Sequence, residues 1–165
     1  MKDPYYLYKE GKIPIEVLKY DQYYCDPIIA EKLCQLIDLD KFNHIIEPTA
    51  GSGAFSRLIP ECEAYDIDPQ HKTVIQADFW NLWFNYDTTT TLIIGGPPYG
   101  YNQETAIKIF ERCTLFADTI AFILPQKFRN PSNFKLKLEH NIPKMAFTAG
   151  GFPFAHPSSF QIYVR

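Results

Sequence analysis

Five short apolar runs mark out the middle of the chain: HIIEP (44–48), EAYDIDP (63–69), TVIQAD (73–78), TTTTLIIGG (88–96) and DTIAFILP (118–125). Each has the length of a buried strand and stops on a glycine, a proline or an acid. Segments with helical character lie between them, TAGSGAFSRLI after the first and TAIKIFERCTLFA (105–117) after the fourth. Strands that alternate with helices in this way predict a mostly parallel sheet covered on both faces. An Asp26–Pro27 pair predicts a further helix start, with a side-chain cap followed by a residue pre-set for the first turn. Beyond residue 125 the pattern predicts a basic helix near 131–140, a strand around 144–148 and a last strand at 160–165. The tyrosine-rich first 24 residues read as an irregular arm, leaving residues 25–165 as one domain.

Length agrees with a single domain, because 165 residues bury one good core and are too few for two ordinary ones. No run approaches the roughly 20 apolar residues of a membrane span, and MKDPYYLYKEGK has no signal-peptide core, so a cytoplasmic protein is expected. Cys25, Cys34, Cys62 and Cys113 lack zinc-ligand spacing and read as free thiols, with no metal indicated. His44, His71, His140 and His156 are scattered and read as surface or satisfied polar residues. A net charge of −3 argues against binding a phosphate backbone over the whole surface. Any nucleic-acid contact must then be local, and the candidates are Lys127, Arg129, Lys135 and Lys137 in the basic stretch 126–144.

In parallel sheets ligands bind outside the carboxyl ends of the strands, where strand order reverses. The residues at those ends are the least ordinary in the chain. Gly51 and Gly53 let a backbone turn approach a ligand closely. Asp66, fifteen residues after Gly51, is placed to accept from two ribose hydroxyls. Asp78 can accept from an exocyclic adenine amine, with Phe79 against the ring. The stretch GSGAFS lacks the GxGxxG dinucleotide fingerprint, which favours an adenosine-bearing cofactor other than NAD.

Together EPTAGSGAF, YDIDP, ADF and PPYG resemble, in that order, motifs I to IV of the class I methyltransferases that use S-adenosylmethionine. The segment DQYYCDPIIAEKL resembles motif X of the N6-adenine group, and the likeness extends through ILPQKF and FQIYVR. It covers about residues 20–165 and is closest to the small adenine methyltransferases of phages and large viruses. The resemblance implies a Rossmann-like α/β fold with seven strands, the last antiparallel, and helices on both faces. It implies S-adenosylmethionine as cofactor, held by Tyr23, Tyr24, Cys25, Glu47, Pro48, Ala50, Gly51, Gly53, Ala54, Phe55, Asp66, Ile67, Asp78 and Phe79. Cys25 stands where the family commonly has threonine. The acceptor implied is the N6 amine of adenine in nucleic acid, DNA favoured over RNA, with a protein partner able to supply target recognition; Pro-Pro-Tyr motifs also serve the N4 amine of cytosine and glutamine amides, which stay open as acceptors.

In this family the fourth strand usually ends in Asn or Asp, then Pro-Pro and Tyr or Phe. A conjugated exocyclic amine is a poor nucleophile, and two acceptors, the Asn or Asp side chain and the first proline carbonyl, aim its lone pair. The aromatic then stacks on a base taken out of the duplex. Here the tetrad is Gly96, Pro97, Pro98 and Tyr99, so the side-chain acceptor is missing. One such bond in a dry site is worth about 2–4 kcal/mol, or roughly 30- to 1000-fold in rate. Three outcomes stay open: an enzyme impaired at Gly96, a catalytically silent cofactor- or partner-binding subunit, and an active enzyme that recruits Asn102 or Gln103 as acceptor.

Overall fold

A computed structural model of the chain describes residues 4–165, apart from the side chain of Phe154. Residues 1–3 of the expected arm lie outside the described residues. From Pro4 onward the arm is ordered: helix α1 spans Pro4–Lys9, helix α2 spans Ile15–Lys19 and strand β1 spans Tyr23–Cys25. Among the described residues α1 opens on Pro4, and Pro14 is the residue before Ile15. Those are the positions where a fixed φ and a missing N–H cost a helix nothing. Leu7, Ile13 and Val17 bury their side chains with Ala149, forming a small core of their own.

Helix α3 (Pro27–Cys34) starts as the sequence predicts, with an Asp26 carboxylate oxygen accepting from Ile28 N at 2.8 Å and Pro27 in the first turn. The main sheet follows with β2 (His44–Glu47), β3 (Cys62–Asp66), β4 (Ile75–Gln76) and β5 (Thr91–Gly95). After helix α4 (Glu104–Cys113) come β6 (Thr119–Pro125) and β7 (Lys135–Asn141). Two short strands, β8 (Phe147–Ala149) and β9 (Phe152–Phe154), precede β10 (Ser158–Val164).

The seven-stranded sheet has the order β4-β3-β2-β5-β6-β10-β7. β2 pairs in parallel with β3 and β5, and β5 with β6, while β10 runs antiparallel to both β6 and β7. The mostly parallel sheet with an antiparallel last strand is therefore present. α3 covers one face with Ala30 and Leu33, against Ile45, Leu92, Ile94, Ala121 and Ile123. α4 covers the other with Ile109 and Phe110, against Ile46, Ile93, Ile120 and Phe122. Alternate residues of each strand thus feed opposite cores, which is why the strands read as unbroken apolar runs.

Besides the irregular arm, which the two helices and β1 replace, two sequence expectations give way. Residues 135–141 form a strand, not a basic helix: Leu136 and Leu138 alternate with Lys135, Lys137 and Glu139, a period of two that outweighs the helical propensity of those residues. Its exposed charges suit a sheet edge. The segment after β2 is a chain of turns rather than a helix, because Gly51 (φ +53°) and Gly53 (φ +73°) both take left-handed backbone, a conformation a right-handed helix cannot include. The predicted strand around 144–148 exists in part as β8, which belongs to a separate three-stranded sheet with β1 and β9.

Candidate active site

Strand order reverses between β2 and β5, and a cavity of about 550 Å³ opens at the carboxyl ends there. That volume lies in the range of small-ligand sites. Of the residues carried over for cofactor contact, the structure brings Tyr23, Tyr24, Cys25, Glu47, Pro48, Ala50, Gly51, Ala54, Phe55, Asp66, Ile67, Asp78 and Phe79 to its wall. Gly53 is placed elsewhere, lining a shallow depression behind the turn. Gly96, Pro97, Pro98 and Tyr99 line the same cavity.

The glycine turn is held by two acids. Asp66 accepts from Gly51 N at 2.7 Å and, through its other oxygen, from Asp68 N at 2.8 Å. Glu47, buried at the end of β2, accepts from Ser56 N at 2.8 Å and Phe55 N at 3.5 Å. Burial is the largest influence on Glu47 and pushes its carboxyl up to about 7, against the lowering pull of those amides. The Tyr24 ring lies directly on Gly51, so close that a Cβ there would meet the ring at 2.6 Å. Burial, then Asp66 and Asp68, push the Tyr24 phenol well above the ordinary tyrosine range. Burial likewise pushes the Cys25 thiol to about 12, so a neutral thiol lines the cavity there.

The buried hydroxyls of Tyr24 and Thr49 have no hydrogen-bond partner. Buried polar groups are nearly always satisfied, and two of the three orphan buried hydroxyls among the described residues, the third being Ser56 Oγ, belong to residues that line this cavity. Asp66 keeps lone pairs beyond the two that its backbone donors use. Asp78 accepts from Trp80 N at 3.0 Å through one oxygen and lines the cavity next to the buried Phe79. These donor and acceptor types fit a ribose, an adenine amine and an amino-acid tail.

On the β5 side, Tyr99 and Ser158 share a hydrogen bond of 3.0 Å between hydroxyls, and Ser158 Oγ lies 2.9 Å from His156 Nδ1. The Tyr99 and His156 rings sit 5.1 Å apart, tilted by 57°. Burial depresses the basicity of His156 and pushes the Tyr99 phenol upward. Sequence reasoning passed over His156. The signal available was its place two residues before a strand that closes beside the Pro-Pro-Tyr turn, which only the antiparallel return of β10 brings near.

Gly96 is exposed to the cavity, its backbone is not left-handed, and a Cβ would make an ordinary contact with Ile123 Cβ at 3.8 Å. Nothing in the local geometry requires glycine there. Neither candidate replacement reaches the cavity wall. Gln103 Nε2 donates to Lys127 O at 3.2 Å and its Oε1 accepts from Arg129 N at 3.2 Å, while Asn102 is exposed. The expected basic stretch also divides. Lys127 and Arg129 lie at the carboxyl end of β6 beside this loop, whereas Lys135 pairs with Val164 at the opposite end of the sheet from the cavity. The cause is the strand at 135–141, which runs the length of the sheet instead of stacking its lysines on a helix face. No protein-family profile matches the chain, and no curated protein sequence matches it.

Proposed function

We propose that the cavity is the site of an S-adenosylmethionine-dependent methyltransferase acting on the N6 amine of adenine in nucleic acid, DNA preferred, and that Gly96 impairs it. The observation that carries this is the joint placement of the two halves in one cavity. Asp66, Asp78 and the glycine turn stand on one side of the switch point, and Pro97 and Tyr99 on the other.

S-adenosylmethionine would supply an electrophilic methyl group. Asp66 would hold the ribose hydroxyls, Asp78 the adenine amine with Phe79 against the ring, and Tyr24 and Thr49 would find their missing polar partners in the tail. On the acceptor side Tyr99 would stack the target base, steadied through Ser158, and the Pro97 carbonyl would take one amine hydrogen. The second acceptor has no counterpart at Gly96, which predicts transfer roughly 30- to 1000-fold below that of a complete site.

A second role, a silent cofactor-binding subunit, is favoured by one observation: the Gln103 amide is already engaged by Lys127 and Arg129 and does not stand in for the lost group. Titration calorimetry with S-adenosylmethionine and its demethylated product tests the cofactor assignment common to both. Saturable binding by the wild-type chain is expected, and no heat at millimolar ligand would overturn it.

A further inference from the structure

The loop after Pro-Pro-Tyr is built in an unusual way. Asn102 (φ +50°) and Gln103 (φ +68°) both hold left-handed backbone, a conformation uncommon outside glycine that persists only where surrounding contacts impose it. Those contacts are present on two sides. Gly100 N donates to an Asp21 carboxylate oxygen at 2.7 Å, and Arg129 Nη2 donates to Asn102 O at 2.8 Å, in addition to the two bonds of the Gln103 amide. What this pinned loop presents is Tyr101, an aromatic ring 82% exposed at the cavity rim.

A second exposed aromatic stands on the same rim. Trp80, 48% exposed, comes from the loop after β4, whereas Tyr101 comes from the loop after β5, across the switch point. With three strand spacings between β4 and β5, the two loops start about 14 Å apart, room for a nucleotide to pass inward. Cations accompany the rings: Lys19, its ammonium 4.9 Å from the centre of the Tyr20 ring on the same rim, and the exposed Lys127 and Arg129 beside the Tyr101 loop. The acids nearby in the chain are Asp21, already bound to Gly100 N, Asp78, which accepts from Trp80 N, and the exposed Glu16 and Glu104.

We propose that this rim is a stacking clamp for an unpaired DNA strand, in which Tyr101 and Trp80 receive the bases flanking the nucleotide that enters toward Tyr99. The proposal rests on the cavity accepting a nucleotide, as put forward above, and adds the form of the substrate. Exposed rings bind bases through their faces, and in a duplex those faces are covered by neighbouring pairs. An unpaired strand offers them freely, with phosphates for Lys19, Lys127 and Arg129.

The test is fluorescence anisotropy of the full chain with an end-labelled, adenine-containing DNA single strand of about a dozen nucleotides, beside the same sequence as a duplex and as RNA. Expected is tighter binding of the single strand than of the duplex. Tyr101→Ala and Trp80→Ala should each weaken it about 5- to 100-fold, the range that base–aromatic stacking supports. Tyr101→Phe and Trp80→Phe, which keep a ring, should restore the affinity and so separate stacking from loss of fold. Lys127→Glu with Arg129→Glu should flatten the salt dependence, while Lys135→Glu with Lys137→Glu, at the far end of the sheet, should leave the affinity as it is. Equal binding of the alanine and wild-type chains, or a duplex bound at least as tightly as the single strand, would overturn the clamp, and tighter binding of RNA would overturn the choice of DNA. Calorimetry on the same preparations separates the two proposals. Ring-dependent strand binding without cofactor binding leaves the rim and removes the methyltransferase, and the converse result removes the rim alone.

Discussion

On the β2–β3 side of the cavity, Glu47 and Asp66 together hold four backbone amides of the glycine turn and the loops around it. On the β5 side, the strand end offers a proline carbonyl, a ring held by Ser158, and no side chain at Gly96. The first half is determined several times over; the second carries no side chain at a position that is sterically open. On the proposed function, the difference separates binding, carried by β2 and β3, from chemistry, carried by β5, so that a change at β5 lowers the rate while the ligand turn stays whole.

The largest expected effect falls on the determined half. Asp66→Ala removes two charge-assisted bonds to Gly51 N and Asp68 N, each worth about 1.5–3 kcal/mol, along with the proposed ribose contact. Calorimetry should show cofactor affinity reduced by roughly 100-fold or more. An unchanged affinity would break the comparison at its stronger end.

Next comes a pH effect from Glu47. Its folded carboxyl is raised from 4.5 to about 7, so the folded state holds the proton more tightly than the unfolded chain does. The contribution is fully present below about 4.5 and is lost as pH rises through about 7, a decline on the order of 3 kcal/mol. Urea unfolding at pH 4.5 and pH 8 should show that decline in the wild type, and Glu47→Gln should remove it. A wild-type curve parallel to that of Glu47→Gln would mean that folding leaves the proton affinity of this carboxyl unchanged.

Gly51→Ala should cost about 2 kcal/mol, because the new methyl meets the Tyr24 ring and the backbone there is left-handed. Thermal melting reads it, and a neutral result would show that Tyr24 swings clear of the turn. Smallest is Gly96→Ala, expected to change stability by under about 0.5 kcal/mol, since its Cβ meets only Ile123 at ordinary distance. A large loss in the same melting assay would show that glycine is required there for shape.

The parallel sheet and its strand ends were legible because buried strands with punctuated ends are a local pattern, and the pattern of Asp26 and Pro27 fixed the start of α3. In the arm, Pro4 and Pro14 read with the tyrosines as signs of irregular chain, and Pro14 has no capping side chain to mark the helix it precedes. The alternation of Leu136 and Leu138 with charges was legible too, and was outweighed by the helical propensity of lysine and glutamate. What no window of sequence contains is the meeting of distant parts: Tyr24 over Gly51, His156 beside Tyr99, Asp21 and Arg129 on either side of the Tyr101 loop. Those depend on β10 returning antiparallel and on β1 pairing with β8.

The central claim is that Gly96 lacks only an acceptor in a site otherwise competent. It is tested most directly by transfer of a labelled methyl group from S-adenosylmethionine to adenine-containing single-stranded DNA, for the wild type beside Gly96→Asn. The account predicts at least about 30-fold faster transfer by Gly96→Asn, with cofactor affinity equal in the two chains. No transfer by a folded, cofactor-binding Gly96→Asn protein would contradict it, and would leave the cavity a binding site without this chemistry.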